Sequence, residues 1–225
     1  MEPYLHRADR VLDVGCGDGL SSLRFAEQVE SVVGLDYVDA FVERATVHAA
    51  ARSSENVAFG HGDVLDLSPI RAAHQPFDVV ITIRCLINLA SWENQLQGLA
   101  ELAACVRPGG LFLSSEGWTD GFQGMNLRRH RAGLGPIAVV PYNRLLERES
   151  FEQAAGAYFE LVDYVSLGFY IFMSRVMQPR LVAPEAPRHD HPLNRAAAEL
   201  QCECVLGDEF LDCDYAGVYV YRRKG

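Results

Sequence analysis

Hydrophobic positions in the first half of the chain switch repeatedly between a period of two and a period near 3.6. Val11-Leu-Asp-Val is an apolar strand that runs into three glycines at alternate positions, Gly15, Gly17 and Gly19. Apolar residues then recur at 20, 23, 25, 26 and 29, which predicts a helix over 20–29. Ser31–Asp36 reads as a second apolar strand ending in a carboxylate, 39–52 as a second helix, and 56–61 as a third strand closed by Gly62-Asp63-Val64. Phe77–Ile83 is a β-rich apolar run suited to the middle of a parallel sheet. Ser91 stands as N-cap of a helix with its stripe at Leu96, Leu99, Ala103 and Val106, stopped by Pro108-Gly109-Gly110, and 111–116 is a fifth strand.

Five strands alternating with helices predict an α/β fold: a doubly wound, mostly parallel sheet whose ligand crevice lies at the carboxyl ends of the strands. Beyond this core the pattern weakens. Residues 118–142 are rich in Gly, Arg and Asn with little periodicity, and are expected to form a long loop or lid. Arg148–Ala155 reads as a short helix before Gly156, 158–167 as a sixth strand and 215–221 as the last. About 45 residues separate these last two strands: 169–176, a Pro-rich stretch over 179–192 and a helix over 193–200. The expected division is a core over 1–117, a lid loop, helix and sixth strand over 118–168, an insert over 169–213 acting as substrate cap, and the last strand over 214–225.

The opening turn carries the first chemical signal. Three glycines after a strand let the backbone press against a ligand in conformations that a Cβ would oppose. The spacing is G-x-G-x-G, not the G-x-G-x-x-G that cradles a pyrophosphate. Asp13 and Asp18 flank it, and acids suit a ligand carrying a cation better than a phosphate. Asp36 falls where the second strand of a βαβ unit sets its acid beside the ribose hydroxyls of an adenosine ligand.

The run Val11-Leu-Asp-Val-Gly-Cys-Gly-Asp-Gly19 resembles motif I of the class I S-adenosylmethionine (AdoMet) methyltransferases. Asp63-Val64 and the Val-Arg-Pro-Gly-Gly-Leu-Phe-Leu stretch before the fifth strand are similar to that family as well, and the resemblance covers roughly 11–117. It implies a seven-stranded Rossmann-like sheet with a lid or insert between the last strands. It also implies AdoMet as cofactor, with Asp13, Gly15, Cys16 and Gly17 at its amino-acid end, Asp36 and Tyr37 near the ribose, and Asp63 with Val64 at the adenine. Arg84 would hold the methionine carboxylate or an anionic substrate group, or pack structurally over the sheet edge. Asn88 stands where some relatives carry His. The family's last two strands usually form a tight hairpin, and the insert departs from that plan; it and the 118–142 loop are therefore expected to form the lid and substrate pocket.

Glu116, at the end of the fifth strand, and His130, in the expected lid, are the candidate proton acceptors. Asn88, Trp118, Arg128, Arg129 and Tyr142 are the candidate substrate contacts, the Arg128-Arg129-His130-Arg131 patch being able to hold a phosphate or carboxylate or simply to pair with the chain's own acids. A formal net charge of −10 argues against a nucleic-acid or anionic membrane surface and favours small-molecule acceptors. No metal is expected: Cys202-x-Cys204 with Cys213 could bind one but read better as small apolar side chains on helix and strand faces, and the adjacent side chains of His189-Asp190-His191 diverge in an extended run. Without a long apolar run or a secretory leader, the expected location is the cytoplasm. The resulting expectation is an AdoMet-dependent methyltransferase acting on O or N of a small polar metabolite. A silent AdoMet-binding partner subunit and an RNA methyltransferase are the alternatives, and the oligomeric state is left open, a homodimer included.

Overall fold

The computed structural model describes residues 1–203 and 208–225, the side chains of 202, 203 and 208 excepted. Seven strands form one sheet in the order β3-β2-β1-β4-β5-β7-β6. β1 (Arg10–Val14), β2 (Ser31–Asp36), β3 (Val57–His61), β4 (Phe77–Ile83) and β5 (Val106–Ser115) pair in parallel; β7 (Val218–Arg223) slots antiparallel between β5 and β6 (Phe159–Val165). The order reverses between β1 and β4, and at such a switch point two strand-end loops diverge and leave a crevice.

Alternation along the strands divides the core into two layers. Val11, Val32, Val79, Ile81, Leu113 and Val220 face Phe25 and Ala26 of α1 (Leu20–Ala26). Leu12, Val14, Val80 and Phe112 point the other way, towards Leu99 and Leu102 of α4 (Trp92–Cys105). Ser91 caps α4 as its position suggests, accepting the Asn94 N–H at 3.2 Å. α2 (Asp39–Ala51) follows β2. Between β3 and β4 lies α3 (Ser68–Ala73), six residues with Pro69 in its first turn and too short to show a periodic stripe.

Two expectations are corrected. The Pro-Gly-Gly stretch lies inside β5, which starts at Val106 and absorbs the irregularity through a register shift opposite Phe77 and Val79. Most of 118–142 is a helix, α5 (Thr119–Arg131). α6 (Arg148–Ala155) follows, where expected. The insert is helical: α7 (Gly168–Phe172) continues through a π-helical turn, Met173–Met177, into α8 (Gln178–Val182), followed by α9 (Pro192–Glu203). It packs on α5 around Met125, Ile171 and Cys213, with Phe122, Phe172 and Phe210 alongside. None of its described residues lines the cleft at the switch point.

Candidate active site

A cleft of about 930 Å³ opens at the carboxyl ends of β1, β2 and β4, large for a small-molecule site. The loop after β1 forms one wall. Gly15, Gly17 and Gly19 have φ of +77°, +56° and +76°. Gly15 and Cys16 donate their N–H groups to the Leu35 carbonyl at 2.8 and 3.0 Å, pinning the loop to β2. A Cβ on Gly15 would stand 2.9 Å from both Cβ and Sγ of Cys85, whereas one on Gly17 would meet nothing within 4 Å. The Gly17 backbone therefore borders open space in the cleft wall.

Two carboxylates in the wall organise backbone around them. Asp36 accepts the Gly17 N–H at 2.8 Å and the Val38 N–H at 2.9 Å, tying the glycine loop to the start of α2. Asp63 accepts the Leu65 N–H at 2.9 Å. Val64, Arg84, Asn88, Tyr142 and Tyr37 also line the cleft. Both tyrosines are exposed, Tyr37 to 68% and Tyr142 to 72%. The strap that carries Tyr142 is fastened at both ends. Asn126 of α5 clamps Ile137 by exchanging two hydrogen bonds with its backbone, at 2.8 and 2.9 Å, and Arg144 donates its N–H to Ile87 O at 2.6 Å.

Several candidates lie elsewhere. Asp13 is buried, on the α1 side of β1 like Val11, and accepts the Ser22 hydroxyl at 2.5 Å; it underlies the loop without lining the cleft. Burial raises its carboxyl to about 6 against the pull of Ser22. Cys16 is also buried, its sulfur turned towards Gly34. Glu116 is fully buried and accepts the N–H groups of Cys85, Leu86 and Ile87 at 3.1, 3.1 and 3.2 Å; it faces the underside of the turn after β4 and does not line the cleft. Trp118 packs in the core between Phe151 and Tyr219, ring centroids 5.3 and 4.8 Å away, because the chain turns inward after β5.

The basic patch faces the insert. Arg128 is spent on Asp212 at 2.7 Å, Arg129 donates to the carbonyls of Gly135 and Arg175, and His130 is exposed on α5. Cys204 and the Cys202 side chain fall outside the described residues; Cys213 is buried beside the Phe210 and Gly168 carbonyls. Among the described residues no cluster of His, Cys, Asp and Glu forms a metal site. No described helix is long and apolar enough to cross a membrane. The sequence reading missed Val38, Phe41, Leu65, Leu89 and Asn94 in the lining. The available signal was their position, two to ten residues past Asp36, Asp63 or Arg84.

The geometry suits an adenosine ligand with a cationic tail: bare backbone at Gly17, carboxylates at the ends of β2 and β3, and an apolar ledge at Val64. Residues 11–110 match the family described as a methyltransferase domain. Over 104 residues the chain is 35% identical to a ubiquinone biosynthesis O-methyltransferase of Maricaulis maris, covering 46% of this chain and 39% of that protein. Over 74 residues it is 39% identical to the 23S rRNA (uracil(1939)-C(5))-methyltransferase RlmD of Photobacterium angustum, covering 32% and 34%. The chain thus spans well under half the length of these relatives. A solved 4+2 cyclase, SpnF, superposes with a TM-score of 0.62 at 22% identity, over 98% of this chain and 76% of that one. The sequence match over residues 11–110, which runs through the glycine loop and lies on the parallel part of the sheet, identifies that segment as an AdoMet-dependent methyltransferase domain, with AdoMet as the cofactor of such domains.

Proposed function

We propose that this chain transfers a methyl group from AdoMet to an O or N atom of a small polar metabolite. The observation that carries the reading is the cleft at the β1/β4 switch point, which Gly17, Asp36, Asp63 and Val64 line together. AdoMet supplies an activated methyl on a sulfonium. In this reading the Gly15–Gly17 backbone takes its amino-acid end, Asp36 the ribose, and Asp63 with Val64 the adenine. Among the described residues Arg84 is the one cation lining the cleft, and it takes a carboxylate, whether of the cofactor or of the acceptor. Asn88 and Tyr142 stand on the acceptor side. With Glu116 and His130 turned away from the cleft, the chain accelerates transfer by aiming the acceptor and excluding water.

A net charge of −10 and the engagement of Arg128 with Asp212 favour a small acceptor over RNA. A second reading, a domain that binds AdoMet without transferring its methyl, is favoured because the carboxylates among the described residues of the cleft wall, Asp36 and Asp63, are both assigned to the cofactor. It is compatible with a solved cyclase that shares the fold. Calorimetry with AdoMet and S-adenosylhomocysteine tests what both readings share: failure of both ligands to bind would overturn them. Release of S-adenosylhomocysteine across a panel of hydroxylated and amino metabolites separates the two. Turnover with any panel member supports the enzyme, and binding without turnover across the panel supports the silent domain.

A further inference from the structure

Arg84 sits at the exit of β4 with φ +56°, a left-handed conformation that a non-glycine residue keeps only where its surroundings over-determine it. Those surroundings converge on one buried carboxylate. The three N–H groups that follow Arg84 all donate to Glu116, those of Cys85 and Leu86 to Oε1 and that of Ile87 to Oε2. Arg84 itself donates its N–H to Ser115 O at 2.8 Å, and its carbonyl accepts the Asn88 side-chain amide at 2.6 Å. The gathered turn shapes the site on two sides. Cys85 closes against Gly15, while Arg84, Cys85, Asn88 and Leu89 line the cleft and Ile87 O anchors the strap carrying Tyr142.

A buried carboxylate is a costly way to fill space, and a neutral residue of similar volume would fill it with less penalty. What it does better is accept several N–H groups at once, as a charge-assisted acceptor. We propose that Glu116 is a positioning residue for cofactor binding, its ionised carboxylate holding the 84–88 turn in the shape that fits the glycine loop and presents Arg84 and Asn88 to the cleft. The proposal rests on the AdoMet reading of that cleft.

Burial raises the Glu116 carboxyl to about 7 against the pull of the three N–H groups and of the Thr82 hydroxyl. The titratable group facing it from the turn is the Cys85 thiol, which burial and the surrounding carboxylates of Glu116, Asp36, Asp13 and Asp63 push well above its ordinary value. That thiol stays protonated near neutrality, and Asp13 titrates lower, at about 6. Protonating Glu116 converts one of its oxygens into a donor and sets it against the N–H groups it had accepted.

The test is calorimetry of the full chain with AdoMet and S-adenosylhomocysteine, from about pH 6.5 to about pH 8.5, on wild type, Glu116→Gln, Glu116→Asp and Glu101→Gln. Glu101 is the matched control, a carboxylate that accepts the Leu67 N–H at 2.7 Å and pairs with Arg71 away from the cleft. Wild-type affinity is expected to tighten as pH rises through about 7. Glu116→Gln is expected to bind about tenfold more weakly at the upper pH, the factor one charge-assisted hydrogen bond corresponds to, and to lose the wild type's step at about pH 7. Glu101→Gln should melt lower and bind as wild type does. Wild-type affinity in Glu116→Gln, or an equal loss in Glu101→Gln, overturns the proposal. Should Glu116→Gln not fold, Glu116→Asp decides: a shorter carboxylate must bind more weakly while keeping the pH dependence, and unchanged affinity overturns the proposal. Wild type that binds neither ligand overturns the cofactor reading along with it.

Discussion

Gly15, Gly17 and Gly19 share a left-handed backbone but answer to different neighbours. Gly19 leaves room for Phe59 and Ala45, Gly15 for Cys85, and Gly17 for open cleft. Gly17→Ala should therefore cost backbone strain on the order of 1–2 kcal/mol, while its methyl enters the space a ligand would take. Calorimetry should show AdoMet affinity falling by more than thermal stability does. Gly15→Ala adds a contact at 2.9 Å to the same strain, and pairing it with Cys85→Gly should recover part of the loss in a double-mutant cycle. Strictly additive effects would show that Cys85 does not set the limit at Gly15. The glycines and the acids at 36 and 63 were legible in the sequence because the residue after a parallel strand sits at the crevice whichever way the strand faces. Asp13 was not, because one place inside β1 its direction is fixed by alternation, and Val11 and Asp13 share the α1 face. Glu116 and Trp118 escaped for a related reason: their positions after β5 were readable, but the inward turn of the chain there was not.

Elements fared best where burial is one-sided and regular. The Ser91-capped α4 and the strands β1, β2 and β4 follow directly from periodicity and caps. α5 hid because its glycines read as loop residues. A Cβ on Gly121 or Gly124 would run into the carbonyl oxygens of Asp214 or Asp212, so these glycines are where the helix backbone lies against the chain leading into β7. Its hydrophobic contribution is correspondingly thin, with Gly121 and Met125 its only fully buried residues. Gly124→Ala should destabilise by about 2–3 kcal/mol in denaturant unfolding, because a backbone carbonyl rather than a flexible side chain must move. AdoMet affinity should change little, since no described residue of the insert lines the cleft. A Gly124→Ala chain that stays folded but loses AdoMet would give the insert the role of a cap.

At the scale of the whole molecule, two buried carboxyls link stability, pH and cofactor. Asp13 and Glu116 are raised to about 6 and about 7 from 3.8 and 4.5, in both cases chiefly by burial. A carboxyl raised on folding stabilises the native state fully below its unfolded value and loses that contribution as pH rises through its folded value. Together the pair represents on the order of 6 kcal/mol that is present below about pH 4 and gone above about pH 7. Asp66, Asp78 and Glu93, shifted downward, act in the opposite sense, and their contribution is already complete by pH 5. Melting temperature should therefore decline between about pH 5 and about pH 8, and Asp13→Asn should flatten the lower part of that decline. A cationic ligand in the cleft reverses part of the trend, because positive charge beside the glycine loop favours ionised Asp13 and lowers its pKa. The rise in melting temperature at saturating AdoMet should consequently grow as pH passes through about 6, and grow less with S-adenosylhomocysteine, which lacks the sulfonium. Equal rises for the two ligands at every pH would show that Asp13 does not sense the sulfonium and that its charge serves only to hold Ser22 and the loop above it.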